Sequence, residues 1–418
     1  MLRAWPDMRG NSSSLALVLT NRPLALVWIG QTISKVGNGA YLVVLGWTVY
    51  KVTGSAAAMG LVMAANTVPQ LALVLYGGVL ADKFSRRKVV LIADSVSALV
   101  TCALAAGAAL DRLTAGWLVL AAVLLGAAGA FYGPAYRSIV PDVVEPDKYG
   151  AANGLLQASA NVAQIAGPAL AGGIFAIGGA TAGFGFDAAT FAVAAACMVF
   201  TRFPAAAVRY TGTVWNGILE GARFAGQQGW MRSMLGLALS LNTFAMAPFV
   251  VLLPSVVRSI HESPELLSGA IALELAAAAV ASWLVGRVSG EAAYHWMGLL
   301  AAMLGAGVAI LGLGSSAATV LVAAALVGIG LGFEVAESTL ILSRTPAGLV
   351  SRVFSLDIVL SFAVLPLAYV IVGVLARAAG ARAVLIAGGT VVVAIGLAAA
   401  FLAYASQGQP AQVSDVDR

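Results

Sequence analysis

Seven ionisable residues stand inside long apolar runs of this chain: Lys35, Asp94, Asp187, Glu274, Glu334, Glu337 and Asp357. At the centre of a membrane helix an Asp, Lys or Arg costs roughly 2.5–3.5 kcal/mol on insertion scales. Each such group therefore needs a partner, a wet cavity or a proton. A carboxyl in that position can load and release a proton as its surroundings alternate between dry and wet. Glu334 and Glu337, in "GFEVAESTL", are the first proton-coupling candidates, with Glu334 preferred, and Glu274 is a further one. Lys35 lies about 20 Å into its helix at 1.5 Å per residue. A Lys35–Glu334 pair is geometrically feasible. Asp94 and Asp357 each open an apolar run and read as anchors, while Asp187, in "FGFDAATF", reads as a helix cap.

Other chemistries lack their residues. The two histidines, His261 and His295, fall near the ends of apolar runs. There are no paired metal ligands, no nucleotide-binding loop and no activated nucleophile cluster. Cys102 and Cys197 both sit in apolar runs and suggest neither a disulfide nor a zinc site. The expectation is a protein that is not an enzyme, uses no cofactor and holds no metal. The formal net charge of +5 is a matter of location, discussed next, and does not point to nucleic acid.

The elements that must position these groups follow from composition. Of 418 residues, 61% are hydrophobic and 10% charged, against roughly 45–50% and about 25% in a soluble domain. The chain is expected to be an all-α polytopic membrane protein, since about 20 apolar residues span a bilayer. Spans are read near 24–50, 56–80, 89–110, 115–136, 151–178, 182–201, 231–256, 265–286, 294–313, 318–342, 353–376 and 382–404. The first is read as a retained span and not as a cleaved signal peptide. The longest polar interval, 202–230, divides them six and six. The expected organisation is an N-terminal six-helix bundle at 1–201, a linker at 202–230, a C-terminal bundle at 231–405 and a tail at 406–418. Within the linker, Val214, Ile218, Leu219 and Phe224 recur at the spacing of a short amphipathic helix. With these spans, seventeen of the 23 cations fall on the side of the termini and five on the other; Lys35 is inside a span. The positive-inside rule then puts both termini and the linker in the cytoplasm. Trp28, Trp47, Trp117, Trp230, Trp283 and Trp296, near span ends or polar neighbours, read as interfacial anchors.

The densest charge cluster is in "YGGVLADKFSRRKVVL", residues 76–91. It resembles the signature loop between spans 2 and 3 of the major facilitator superfamily, with Gly78, Leu80, Ala81, Asp82, Lys83, Arg86 and Arg87 matching and Ser85 replacing a glycine. "YGPAYRSIVPDVVEPDKYGAANGL" (132–155) and "SRTPAGLVSRVFS" (343–355) are similar to loops of the branch that includes macrolide and siderophore exporters. The resemblance implies twelve transmembrane helices in two bundles that alternate around a central cavity. It implies a conformational latch of Gly78, Asp82, Lys83, Arg86, Arg87 and Asp94. A span-5 packing motif is carried by Gly154, Gly167, Pro168 and Gly172, with Ala163 and Ala171 at two expected glycines. The arginine that many proton-coupled drug exporters carry in span 4, near Ala122 here, is absent.

Gln31, Asn38, Phe131, Tyr132, Asn242 and Phe244 are the substrate-cavity candidates. The function expected is proton-coupled efflux of an amphiphilic drug, antibiotic or siderophore by a monomer in the lipid bilayer of the cell membrane. An importer or lysolipid flippase of the same fold is the alternative within the family. A non-transporting receptor or scaffold is the alternative outside it, and predicts that neutralising Glu334 leaves function intact.

Overall fold

Lipid offers the backbone no hydrogen bonds, so apolar runs of this length must close their own as helices. The computed structural model describes residues 20–406 apart from 84, 138, 146–147, 202–222, 224–225, 261–263, 288–289, 346–352, 354–356 and 358–359. The side chains of 75–83, 137, 140–141, 149–151, 153–154, 290–293 and 405–406 also lie outside the described set. The described residues are helical apart from short connections, without a strand. In chain order the helices are α1 Arg22–Thr53, α2 Ala56–Lys83, α3 Arg86–Ala109, α4 Ala115–Arg137, the short α5 Val140–Val143 and α6 Tyr149–Phe200. Then come α7 Gly229–Leu241, a π-helical turn at Asn242–Met246, α8 Ala247–Ile260, α9 Pro264–Val285 and α10 Gly290–Leu313. The series ends with α11 Ala317–Gly330, α12 Phe333–Arg344, α13 Leu365–Ala379 and α14 Ala381–Ser406.

Ten stretches among the described residues are long and apolar enough to cross a membrane. One of them, Leu155–Phe200, holds two spans, because α6 breaks at Gly178 and Gly179, the latter at φ +59°. α1 adds another by its 32 residues. Its apolar character is diluted by Gln31, Ser34 and Thr48, all buried. The twelve expected spans are therefore present. The expected amphipathic helix at Val214–Phe224 and the tail from 407 onward lie outside the described residues.

By its contacts the chain divides into two units, Met1–Thr53 with Ala65–Thr211, and Gly54–Ala64 with Gly212–Arg418. In the first, α1 packs along both limbs of α6. Gly39 and Gly167 face each other there; a Cβ on Gly39 would stand 2.8 Å from Pro168 Cδ and 3.2 Å from Gly167 Cα. α6 stays helical through Pro168, so the only non-helical residues inside it are Gly178 and Gly179. Gly172 is buried, and the surroundings of Gly154 lie outside the described set. In the second unit, α10 and α14 meet along a glycine seam. A Cβ on Gly298 would come within 2.6 Å of the Gly396 carbonyl oxygen, and one on Gly305 within 2.7 Å of that of Gly389. Small residues at one-heptad spacing let backbones approach where lipid provides no hydrophobic drive.

Trp28 and Trp47 are not simply interfacial. Trp47 is 7% exposed and meets Phe175 edge-on at 6.4 Å between ring centroids. Trp28 donates its indole N–H to Ser159 Oγ at 2.7 Å. Both face α6, which their own helix could not reveal.

Candidate functional site

The helices of the first unit line a half-open cavity of about 240 Å³ whose largely apolar wall carries several polar groups. α1 contributes Ser34, Asn38 and Tyr41, α2 Asn66 and Gln70, α3 Asp94 and Ser97, α4 Tyr132, and α6 Phe191. The close fit of α4 on α2 depends on Gly126, because a Cβ there would collide with the Asn66 carbonyl oxygen. Asn66 also donates from Nδ2 to the carbonyl of Ala122 at 3.2 Å. Ala122, the span-4 position without an arginine, is thus buried in a helix contact.

Asp94 is 1% exposed. Gln31 Nε2 donates to Asp94 Oδ2 at 3.0 Å, and the Tyr132 hydroxyl donates to Gln31 Oε1. One amide therefore orients both a carboxyl and a phenol. Tyr132 stacks on Tyr136 at 5.3 Å between centroids, and Lys35 Nζ stands 5.4 Å from the Tyr136 ring centroid. A cation–π contact of this kind is one way to hold an ammonium away from bulk water. Acid and base thus occupy the two ends of a chain of polar and aromatic side chains. The wall of the cavity offers a carboxyl, amides and ring faces together, a set suited to a molecule with an apolar body and a polar or cationic head.

Of the cavity candidates read from the sequence, Asn38 and Tyr132 line this space, and Gln31 orients Asp94 and Tyr132. Phe131 packs instead on the apolar cluster of Leu24, Val27, Val90 and Met198. Asn242 and Phe244 lie in the second unit, on the π-helical turn. Such turns are rare and frequent at functional sites. Asn66 and Gln70 were not singled out from the sequence. Their four-residue spacing within an apolar helix is the signal that would have found them.

The basic loop does two separate jobs at the end of the first unit. Arg86 Nη1 forms an ion pair with Asp142 Oδ1 at 2.7 Å, both side chains being largely buried. Burial pushes the Asp142 carboxyl above its usual range, and the Arg86 guanidinium pulls it down without cancelling the rise. Arg87 donates from Nε to the Met198 carbonyl at 2.9 Å and from Nη2 to that of Val199. These are carbonyls of the last turn of α6, which lack helical partners and favour a cation. Asn21 adds to the same region, accepting from Leu24 N–H and donating to the Val143 carbonyl. Asp94, grouped with the latch from its sequence position, engages Gln31 here. The side chains of Gly78, Asp82 and Lys83 fall outside the described residues.

In the second unit Glu274, on α9, is 8% exposed. Its backbone carbonyl abuts Gly328 of α11, where any Cβ would collide. Glu337, also 8% exposed, lies close enough to Asp357 for the two carboxyls to interact directly, while its Oε1 has no hydrogen-bond partner among the described residues. Ser361 Oγ donates to Asp357 Oδ1 at 3.2 Å. Glu334 is exposed and within electrostatic reach of Asp357 and Glu337. Asp357, read from sequence as an anchor, is thus the partner of a membrane-buried acid.

The family model described as Major Facilitator Superfamily matches residues 27–363. The multidrug efflux pump Tap of Mycolicibacterium fortuitum is 28% identical over 398 residues, covering 91% of this chain and 95% of that protein. Macrolide efflux protein A of Streptococcus pyogenes is 23% identical over 179 residues, 43% of this chain and 44% of its own. Among solved structures, a bacterial homolog of the human lysosomal transporter Spinster, inward-facing and unoccupied, superposes with a TM-score of 0.73 at 17% identity. That match covers 92% of this chain and 96% of the other.

Proposed function

Because the chain belongs to the Major Facilitator Superfamily, we propose that it is a proton-driven secondary exporter of an amphiphilic small molecule: a drug, an antibiotic or a siderophore. It is a multi-pass membrane protein of a transporter family. The reading assigns it to the cytoplasmic membrane as a monomer, with both termini inside, following the seventeen-to-five partition of its cations. The observation that carries the substrate class is the cavity walled by Asp94, Asn38, Gln70 and Tyr132. The relatives whose names speak of multidrug and macrolide efflux support the direction.

Coupling is assigned first to Glu337 and its partner Asp357, with Glu334 beside them. Two carboxyls this close in a partly buried site share one proton on this reading, since both cannot readily ionise side by side. Opening the site to water on one side would let that proton leave, and opening on the other would reload it. Glu274 and Lys35 are secondary groups in the same scheme. The ion pair of Arg86 with Asp142 and the Arg87 contacts serve as the latch at the end of the first unit, together with Gly78, Asp82 and Lys83.

The test is transport in proteoliposomes with an imposed pH gradient, across a panel of neutral and cationic amphiphiles. Asp94→Asn keeps the Gln31 hydrogen bond geometry and removes the charge. A hydrogen bond to a charged group is worth about 1.5–3 kcal/mol. Cationic substrates should therefore show an apparent KM raised about tenfold or more, and neutral ones little change. Equal kinetics for both classes would remove Asp94 from the binding site. No gradient-dependent flux of any amphiphile by the unaltered protein would defeat the proton-driven reading.

A further inference from the structure

Asp187 lies eight residues into the second limb of α6, which starts after the break at Gly179. It was expected to cap a helix end, and the structure corrects this: neither of its carboxyl oxygens has a hydrogen-bond partner among the described residues. The residue is 1% exposed. The neighbouring hydroxyl of Thr190 spends its proton on the Asp187 backbone carbonyl, at 2.8 Å. The backbone of α1 lies directly over the acid. A Cβ built on Gly37 would stand 2.7 Å from Asp187 Oδ1. One turn along α1, the Tyr41 phenol lies within electrostatic reach of the same carboxyl. Tyr41 lines the cavity, is 7% exposed, and its hydroxyl also has no hydrogen-bond partner among the described residues.

A buried carboxylate with no donor costs several kcal/mol, and a group in that position neutralises instead. A resident metal cation would need several converging oxygens, whereas here there is one carboxyl beside one phenol. We propose that Asp187, with Tyr41 between it and the cavity, is a proton-binding site of the first unit. In the state seen here the carboxyl holds its proton. When α1 draws away at Gly37 and water enters, the O–H bond breaks, the proton passes to water, and the carboxylate is left solvated. This rests on the proton-driven reading above and adds a second proton group, in the unit that also holds the cavity.

On α1, Lys35 stands over the Tyr136 ring. On α3, Asp94 accepts from Gln31, and Cys102 is exposed. On α6 itself, Cys197 lies against Gly30.

The experiment compares the full-length protein with Asp187→Asn in proteoliposomes, using ethidium as the probe cation. Three readings are taken: accumulation driven by a pH gradient, exchange of labelled for unlabelled ethidium at equal pH, and infrared absorption of carboxylic-acid C=O groups. The expected result is a loss of driven accumulation of tenfold or more, with exchange kept within twofold. One carboxylic-acid band present in the unaltered protein at neutral pH should disappear. Full driven accumulation by Asp187→Asn overturns the proposal, and so does an unchanged infrared spectrum. Loss of exchange as well, or failure of the variant to accumulate in the membrane, overturns it too, because a structural role is then sufficient. An unaltered protein that exchanges ethidium but ignores the gradient defeats the proton-driven reading alone, and the infrared band then decides on Asp187. If ethidium is not carried at all, the same band decides.

Discussion

Gly167→Val is expected to lower the thermal midpoint of the detergent-extracted protein by roughly 6–12 °C, whereas Gly173→Val, six residues further along the same helix, should shift it by about 2 °C or less. The two glycines differ in what a side chain would meet. At Gly167 a Cβ would collide with the Val36 carbonyl oxygen and stand 2.8 Å from Gly39 Cα and 2.9 Å from Ala40 N. All three are backbone atoms of α1 and cannot rotate aside. At Gly173 nothing lies within 4 Å. Overpacking costs typically about 1–3 kcal/mol, and valine in this contact should sit at the upper end. For a unit of some 200 residues each kcal/mol moves the midpoint roughly 2–4 °C. The measurement is a fluorescence-monitored thermal melt followed by size-exclusion chromatography. Equal effects at both positions would mean that the cost is one of helix propensity and that the α1–α6 contact is not tight.

Arg86→Ala should cost about 3 kcal/mol at pH 7.5, and the deficit should shrink as the pH is lowered. The side chains of Arg86 and Asp142 are 15% and 8% exposed. Removing one partner of a buried pair leaves the other charge uncompensated, at about 3–5 kcal/mol, and the residual exposure favours the lower end. The sign of the pH effect follows from Asp142. Its carboxyl is raised in the folded protein by burial, with Arg86 opposing the rise. In Arg86→Ala the opposing charge is gone, so the folded carboxyl rises further above its unfolded value. Below the ordinary carboxylate range it is protonated in both states, and the missing arginine then costs little for this pair. The penalty grows as pH rises from that range through the raised folded value. A double-mutant cycle with Asp142→Asn, followed by thermal melts at several pH values, checks both claims. A deficit independent of pH would place the cost of Arg86→Ala in contacts other than Asp142.

Both predictions concern positions that the sequence marked and the structure explained differently. Gly167 and Pro168 were legible as a packing motif, but the break in that helix, at Gly178 and Gly179 eleven residues on, lies outside the motif. Proline at 168 is accommodated because Gly39 of α1 lies against its ring. Arg86 and Arg87 were legible as a charge cluster, and adjacent residues of one type would be assigned one role. Successive residues on a helix point about 100° apart, so Arg86 turns to α5 and Arg87 to the end of α6.

By itself the sequence determined the solvent, the number of spans, the family and the place of the basic loop. Each of these is a local quantity: mean hydropathy over some 20 residues, charge at the run ends, and glycines at short spacing. Tertiary structure alone decided which ionisable groups meet. Gln31 and Asp94 are 63 positions apart and Arg86 and Asp142 are 56. Nothing in either segment of such a pair specifies the rotation of the other about its axis. The same limit made Asp187 look like a cap and Asp357 like an anchor. A carboxyl's role inside a membrane depends on what the neighbouring helices present to it. For Asp187 that is the backbone of α1 and the phenol of Tyr41, and for Asp357 it is Glu337.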